Sequence, residues 1–351
     1  MIPSIDLTTN YRSSRIIKGG WQLAGGHGNI DNEQAILDMT AFAEAGITTF
    51  DCADIYTGVE ELIGQFKAYY QDHYGVEKTK EIKVHTKFVP DLSVLSEISK
   101  IDVERAIDTS LSRLQVEQLD LVQFHWWDYA IPRYIEVAGY LNELQKKGKI
   151  ANIGVTNFDI LHLDEMVRSG ANIISNQVQY SMLDNRPEHG LVEFCIKNSI
   201  KLLCYGTVAG GFLSNRTVNL PEPHEPFENR SLTKYKLIID EAGGWSAFQE
   251  MLSLLEKIAR AKQVSITALA CRYILEKSGV ACTIVGARNA RHLADLTKIF
   301  EFDLSAQEIR KVDAIQKRLQ ALPGDIYSLE RDKNRKHAKI MKYDINTKRQ
   351  A

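Results

Sequence analysis

The sequence predicts an α/β protein of the (β/α)8-barrel class. Eight short apolar, β-branched runs alternate with stretches of helical periodicity along the 351 residues, a length that one barrel can occupy. Most steps between successive runs are near the roughly 30 residues of a βαβ unit. A doubly wound sheet is the less favoured alternative, because no G-x-G-x-x-G follows an early strand and no P-loop is present.

The elements follow one another in a regular order. The predicted strands are residues 15–20, 47–51, 82–87, 119–125, 150–155, 172–177, 200–205 and 281–286. The predicted helices are residues 33–46, 60–70, 102–114, 133–147, 159–168, 188–198 and 247–262. In the third of these, Ala106, Ile107, Leu111 and Leu114 share one face, as a helix packed on a barrel requires.

Two segments depart from this alternation. Residues 213–245, before the last strand, contain Pro221, Pro223, Pro226, Gly243 and Gly244, and we interpret them as a large surface loop and a candidate lid. Residues 329–351 contain eight Lys or Arg side chains and are predicted to form an extended, solvated end. We therefore predict one barrel over residues 1–320, followed by a C-terminal tail over residues 321–351.

Composition excludes several classes of protein. The chain has 44% hydrophobic and 25% charged residues, which excludes a disordered or collagen-like chain. Its formal net charge of -2 offers no broad basic field for nucleic acid, and no apolar run is long enough for a membrane span. The five cysteines are widely spaced without a C-x-x-C, which argues against disulfides and a zinc site. We expect a cytoplasmic protein of unknown oligomeric state.

Polar side chains occupy the predicted carboxyl ends of successive strands, where barrel enzymes carry their active sites. They are Asp51, Lys87, His125, Asn157, Gln177 and Tyr205. Individually, Asp51 is explained equally well as a helix cap, Lys87 as a surface charge and His125 as a core histidine. Together, and with Tyr56 just beyond Asp51, they indicate one shared site.

The chemistry of four of these residues favours proton transfer; they are Asp51, Tyr56, Lys87 and His125. A phenol has an ordinary pKa of about 10, and a neighbouring ammonium lowers it. We expect Lys87 to act in this way on Tyr56, with Asp51 holding Lys87 through an ion pair. Tyr56 then serves as a general acid, and His125 donates a second hydrogen bond to the substrate oxygen. Such a site protonates an alkoxide that forms at a carbonyl.

These residues lie in segments that resemble the aldo-keto reductase family. FDCADIY (50–56), VHTK (84–87) and SLSRLQVEQLDLVQFHWW (110–127) resemble the segments that carry its catalytic aspartate, tyrosine, lysine and histidine. GVTNF (154–158), SNQVQYS (175–181), LLCY (202–205) and IVGAR (284–288) follow in the family's order, and the resemblance covers roughly residues 13–320. It implies reversible reduction of an aldehyde or ketone with a nicotinamide cofactor and no metal.

The resemblance also implies a set of cofactor-binding residues. Thr156, Asn157 and Gln177 match the residues that hold the carboxamide, and Tyr205 matches the aromatic that stacks on the nicotinamide. The remaining matches are Gly20, Trp21, Gly206, Gly210, Gly211, Leu213, Gly286, Arg288 and His292. The glycines would let backbone N–H groups approach the phosphates.

Arg288 matches the position that binds the 2′-phosphate, which implies a preference for NADPH over NADH. His292 and Leu296 stand where the family usually has a glutamine and an asparagine or glutamate, so the strength of that preference stays open. Trp21, Trp126 and Trp127 are the candidate walls of a substrate pocket for a sugar or an aryl group, with packing at the barrel rim as the alternative.

Two further interpretations stay open. Some proteins of this fold are NADPH-binding regulatory subunits of potassium channels with low turnover. The absence of a long N-terminal extension before the barrel favours a free-standing enzyme. The tail, in turn, follows the last barrel helix, where family members often fold a loop over the pocket, and its basic character would suit an anionic substrate.

Overall fold

Eight parallel strands form a closed barrel in the computed structural model, which describes residues 2–25, 28 and 30–346. The barrel strands are β3 (Ile16–Gly19), β4 (Thr49–Asp51), β5 (Lys83–Phe88), β6 (Leu119–Phe124), β7 (Ile150–Thr156), β8 (Ile173–Gln179), β9 (Lys201–Tyr205) and β10 (Val280–Gly286). Each pairs with the next in sequence, and β10 pairs with β3 to close the ring. The predicted fold is confirmed, and the strand ends agree to within about two residues.

A two-stranded hairpin that the sequence analysis did not predict precedes the barrel. It consists of β1 (Ser4–Thr8) and β2 (Tyr11–Ser14), paired antiparallel. Ser14 exchanges hydrogen bonds with Thr49, the first residue of β4, so the hairpin lies at the end of the barrel where the strands begin. Leu7 and Tyr11 are buried with apolar side chains that point into the barrel. The hairpin therefore closes the end opposite the predicted site.

Helices surround the strands. They are α1 (Asn32–Glu44), α2 (Val59–Tyr74), α3 (Val76–Thr79), α4 (Lys100–Leu114), α5 (Tyr134–Lys146), α6 (Ile160–Arg168), α7 (Leu191–Lys197), α8 (Arg230–Glu241), α9 (Gly244–Lys262), α10 (Ile266–Leu275), α11 (Leu293–Thr297), α12 (Ala306–Gln316), α13 (Ser328–Arg331) and α14 (Lys336–Lys339). All seven predicted helices are present. None of the helices in the described part of the chain combines the length and apolarity needed to cross a membrane.

The loop predicted over residues 213–245 contains a helix, so that part of the prediction was wrong. Asn229 caps α8 by accepting a hydrogen bond from the backbone N–H of Leu232, and Ile238 and Ile239 are buried. The prolines and glycines that suggested a loop lie at 221–226 and 243–244 and therefore bracket the helix. Their spacing leaves room for the three turns of α8 between them.

The C-terminal segment also differs from its prediction. A solvated tail was expected over residues 329–351, yet Leu329 and Ala338 are buried and Glu330 and His337 are each only 1% exposed. Apolar side chains spaced between the basic ones allow this segment to pack on the barrel. Residues 347–351 lie outside the described residues, and the boundary at residue 320 stays a prediction.

Charged groups join the C-terminal segment to α8. Lys234 on α8 forms an ion pair with Glu330 at 3.0 Å, and Arg335 binds Glu241 at 3.1 Å. Arg230, at the start of α8, donates a hydrogen bond to the carbonyl of Ile340. Both elements line the cavity at the carboxyl end of the barrel. We call α8 and residues 322–346 together the roof of that cavity.

Candidate active site

The four predicted catalytic residues meet at the carboxyl end of the barrel. Asp51 ends β4, Lys87 lies near the end of β5, His125 directly follows β6, and Tyr56 lies on the loop after β4. All four line one cavity of about 810 Å³. Parallel strands bring their carboxyl ends to one edge, which is why residues far apart in sequence become neighbours here.

The ammonium group of Lys87 lies between Asp51 and Tyr56. Its Nζ donates to Asp51 Oδ1 at 2.5 Å and to the carbonyl of Cys52 at 2.8 Å. It also lies 5.0 Å from the centroid of the Tyr56 ring. An ammonium has three donors and no acceptor, so Lys87 cannot take up the proton of the Tyr56 hydroxyl.

The pKa of Tyr56 is raised, which is opposite to the direction that we expected. Burial of the phenol is the main cause; the positive charge of Lys87 opposes it, and the negative charge of Asp51 adds to it. Lys87 itself is disfavoured as an ammonium by burial, but Asp51 and Tyr56 outweigh that effect and raise its pKa. Since Asp51 neutralises much of the charge of Lys87, Tyr56 remains a protonated phenol at neutral pH.

His125 is a neutral side chain with a defined tautomer. Burial, together with the charge of Arg331, lowers its pKa to about 3. Its Nδ1 lies 3.1 Å from the carbonyl oxygen of Thr156, which can only accept, so Nδ1 carries the proton. Its Nε2 is thus an acceptor, without a partner among the described residues. The expected role of His125 as a second donor does not agree with this geometry.

Buried histidines predict that the protein loses stability in mild acid. His85 lies two residues before Lys87 on β5 and is fully buried, and burial lowers its pKa to about 4. Burial likewise lowers the pKa of His125, to about 3. Below their unfolded pKa of 6.5 these histidines bind protons only when the chain unfolds. The free energy of unfolding should therefore fall from about pH 6.5 toward pH 4, by roughly 1.4 kcal/mol per pH unit for each histidine.

This pH dependence can be measured by urea denaturation at several pH values between 5 and 7.5. The variant His85→Leu should reduce the slope of stability against pH, whereas the exposed His224→Asn should leave the slope unchanged. An equal slope in His85→Leu and the unaltered protein would contradict the assignment of this effect to His85.

An ion pair between the buried Glu60 and the partly buried Arg113 fixes the loop that carries Tyr56. Glu60, in the first turn of α2, accepts a hydrogen bond from Thr86 at 2.6 Å and binds Arg113 at 3.3 Å. Arg113 also donates to the backbone carbonyl of Asp54 within the loop. Since Thr86 adjoins Lys87 on β5, these contacts hold Tyr56 and Lys87 in a fixed relation.

Most of the predicted cofactor-binding residues face the same cavity. Those that line it are Trp21, Thr156, Asn157, Gln177, Tyr205, Gly206, Gly210, Gly211, Gly286, Arg288 and His292. Gly20 and Leu213 do not line it. A Cβ on Gly20 would lie 2.7 Å from the carbonyl of Asp51, so glycine there permits close packing of β3 against β4. Leu213 is fully buried.

The loop after β9 needs glycine where α8 packs against it. Gly210 has a φ of 65°, and a Cβ there would lie 2.7 Å from the ring of Tyr235 on α8. Tyr205, at the end of β9, donates a hydrogen bond from its hydroxyl to Asn157 Oδ1 at 2.9 Å. The glycine run and α8 therefore form one wall of the cavity, next to Tyr205.

The sequence analysis missed several cationic residues of the cavity. Among the described residues, six Lys or Arg side chains and two carboxylates line it. The missed ones are Arg216, Arg230, Lys234 and Lys342. They lie in the segments interpreted as a surface loop and a solvated tail, where basic residues need no other explanation. The contact between α8 and the C-terminal segment brings three of them, Arg230, Lys234 and Lys342, to the cavity.

Two of the three tryptophans predicted to form the substrate pocket line the cavity, and the third does not. Trp21 and Trp127 line the cavity, and the ring centroid of Trp21 lies 5.1 Å from that of Tyr56. Trp126 does not line it: its side chain is fully buried, and its indole N–H donates to the carbonyls of Asp128 and Ile131. Consecutive side chains point to opposite sides here, so Trp126 packs against the surrounding elements and is excluded from the pocket.

Fold and site together define a (β/α)8-barrel oxidoreductase with a phenol, an ammonium and a carboxylate at the carboxyl ends of its strands. The family model of the aldo/keto reductase family matches residues 15–317, and the chain belongs to that family. Its members are oxidoreductases that reduce carbonyls with nicotinamide cofactors.

Individual relatives are more distant. "Aldo-keto reductase YhdN" of Bacillus subtilis is 29% identical over 88% of this chain and 91% of its own. "NADH-specific methylglyoxal reductase" of Escherichia coli is 25% identical over 85% and 93%. The solved structure of a glycerol dehydrogenase from Gluconobacter oxydans, AKR11B4, superposes with a TM-score of 0.74 at 24% identity, covering 93% of this chain and 97% of that one. At this identity the structural likeness supports the fold alone.

Proposed function

We propose that this protein reduces an aldehyde or ketone to the alcohol with NADPH, and that Tyr56 donates the proton. The observation that carries this proposal is the position of Tyr56, whose ring centroid lies 5.0 Å from the ammonium nitrogen of Lys87, within a cavity large enough for a cofactor and a small substrate. Because an ammonium has only donors, Lys87 cannot accept the proton of the Tyr56 hydroxyl, and that proton is available to a substrate oxygen. A reduced nicotinamide, when bound, supplies a hydride to the carbonyl carbon.

The chain's own groups then perform the proton chemistry. Tyr56 donates its proton to the carbonyl oxygen as the C–O bond becomes an alkoxide, and Lys87 stabilises the phenolate that remains. Asp51 keeps Lys87 in place through the ion pair at 2.5 Å. His125, as a neutral acceptor, receives a hydrogen bond from the alcohol. Reversal of the same steps oxidises the alcohol.

The charges of the cavity support a cofactor with an additional phosphate. Arg216, Arg230, Arg288 and Lys342 line the cavity and have no carboxylate partner among the described residues. A pyrophosphate and a 2′-phosphate together carry close to four negative charges, since a phosphate monoester contributes about −1.5 to −2. NADH lacks the monoester. The count of unpaired cations therefore favours NADPH.

The walls beside Tyr56 support an apolar or aryl group on the substrate. Trp21, Trp127 and Tyr327 present aromatic surface to the cavity, and Ile55 and Val89 add aliphatic surface. Aromatic faces also stack on sugars, so both substrate classes belong in the first measurement. That measurement is the loss of NADPH absorbance with a panel of aryl aldehydes, alkyl aldehydes and sugar aldehydes; no turnover with any carbonyl would contradict the proposal.

Arg288→Ala is expected to weaken NADPH binding by roughly ten- to hundredfold and NADH binding much less. The reason is the loss of one charge-assisted contact to the 2′-phosphate. Fluorescence titration with each cofactor measures the effect. Arg291→Ala is the matched control, because Arg291 is exposed close to Arg288 but does not line the cavity. Equal weakening of both cofactors in Arg288→Ala would show that Arg288 does not bind the 2′-phosphate. Both cofactors are measured because the relative from Escherichia coli is named an NADH-specific reductase.

A further inference from the structure

Asp51 binds two glutamine side chains in addition to Lys87. While its Oδ1 accepts from Lys87, its Oδ2 accepts from the amide nitrogens of two glutamines, Gln123 at 2.9 Å and Gln177 at 2.7 Å. The nitrogen of Gln177 also donates to the amide oxygen of Gln123 at 2.7 Å. Gln123 lies on β6, two residues before His125, and is fully buried. These contacts form a closed triangle of Asp51, Gln123 and Gln177.

The direction of each amide in this triangle follows from chemistry. A carboxylate can only accept, so both glutamines must turn their nitrogens toward Asp51. The oxygen of Gln123 is then the group that faces Gln177. Both N–H bonds of Gln177 are thereby used, and its amide oxygen is the hydrogen-bonding group left for a ligand. Gln177 lines the cavity, whereas Gln123 does not.

Asn157 presents the opposite polarity to the same part of the cavity. Its amide oxygen accepts from the hydroxyl of Tyr205 at 2.9 Å, which leaves its amide nitrogen as a donor. Asn157 follows β7 directly, and its backbone N–H donates to the carbonyl of Gln177 on the neighbouring strand. The two side chains therefore offer an acceptor and a donor side by side, the complement of a primary carboxamide.

We propose that Gln123 is a positioning residue that fixes the amide of Gln177 with its oxygen toward the cavity, so that the site selects a cofactor whose carboxamide donates an N–H. This inference rests on the proposed use of a nicotinamide cofactor. Gln123 touches neither cofactor nor substrate and acts through Gln177. Without it, the amide of Gln177 loses the acceptor for its second N–H and can rotate about its last side-chain bond.

The experiment compares two ligands in Gln123→Met. NADPH and 2′-phospho-ADP-ribose share the adenosine and all phosphates, but only NADPH has the carboxamide. We expect the Kd of NADPH to rise about tenfold, the effect of one hydrogen bond to a polar group, while that of 2′-phospho-ADP-ribose is unchanged. Equal weakening of both ligands would indicate a merely structural role for Gln123 and would overturn the proposal. The same conclusion would follow if neither Kd changed.

Gln179→Met is the matched control. Gln179 is also a buried glutamine, on the same strand as Gln177, and its nitrogen also donates to a carboxylate, that of Asp184 at 2.7 Å. It does not line the cavity, so its loss should leave the ratio of the two affinities as in the unaltered protein. The double variant Gln123→Met, Gln177→Met should show no larger change in that ratio than Gln177→Met alone, and a further loss would contradict action through Gln177.

A measurement on the unaltered protein keeps the inference testable if Gln123→Met does not fold. The 3-acetylpyridine analogue of NADP⁺ replaces the amide N–H2 by a methyl group and so places no donor against Gln177. It should bind about tenfold more weakly than NADP⁺, the effect of one hydrogen bond; equal affinity would overturn the proposed selection. If the unaltered protein binds no nicotinamide cofactor at all, the proposed function itself fails, which is a distinct result.

Discussion

Tyr56→Phe is expected to lower carbonyl reduction by about 10² or more, because it removes the proton that Tyr56 is proposed to donate to the substrate oxygen. The phenyl ring keeps its contact with Trp21, whose ring centroid lies 5.1 Å away. The fold and the affinity for NADPH should therefore remain close to those of the unaltered protein. The measurement is kcat for the best aldehyde of the panel, together with the Kd of NADPH.

Tyr327→Phe is the control for this variant. It removes another hydroxyl from the same cavity, one that contacts the sulfur of Met341 and not Lys87, so kcat should change little. His125 is the competing proton donor. A near-normal kcat in Tyr56→Phe, combined with loss of activity in His125→Asn, would contradict the assignment. Since Nε2 of His125 is an acceptor in this structure, we expect the smaller effect from His125→Asn.

Lys87→Met is expected to reduce both activity and stability. Turnover should fall by about 10², because nothing then opposes the rise in the pKa of Tyr56 caused by burial or stabilises its phenolate. In addition, Asp51, which is only 3% exposed, keeps a charge without its cation. Breaking a buried ion pair in this way costs about 3–5 kcal/mol. Tyr56→Phe should show no such loss of stability.

The two effects of Lys87→Met can be separated with a second substitution. Asp51→Asn, added to Lys87→Met, removes the unpaired charge and should restore much of the free energy of unfolding, measured by urea denaturation, while activity stays low. Lys87→Arg keeps the charge and should be more stable than Lys87→Met. If Lys87→Met were both stable and active, neither the ion pair nor its effect on Tyr56 would have the importance given to them here.

The sequence predicted the location of the site well, because that location depends on single residues at strand ends. Asp51, Lys87 and His125 follow apolar runs, and the barrel fold alone brings such positions together. It was uninformative where opposing effects nearly cancel. Lys87 does act on Tyr56, but burial and Asp51 reverse the net direction of the shift in the Tyr56 pKa, and neither effect can be weighed from the sequence.

Packing between distant segments was the second limit. Trp126 and Trp127 are adjacent and chemically equal, and only the direction of each side chain places one in the cavity. Arg335 near the C-terminus looked solvated because its partner Glu241, the last residue of α8, lies 94 positions earlier in the chain. The triangle around Asp51 was likewise hidden, since Gln123 has no distinguishing pattern on its strand.

The roof of the cavity has a consequence for protein engineering. The barrel fold supports many chemistries by variation of the loops above its strands, and loops generally tolerate change better than the elements they connect. Here α8 and residues 322–346 are joined by the ion pair of Lys234 with Glu330, whose carboxylate is almost completely buried. A chimera that replaces only α8 leaves that carboxylate without Lys234, and one that replaces only residues 322–346 leaves Lys234 without Glu330. A chimera that replaces both segments removes the pair as a unit. The two segments therefore constitute a single transplantable module, although they lie on opposite sides of the last barrel strand in the chain.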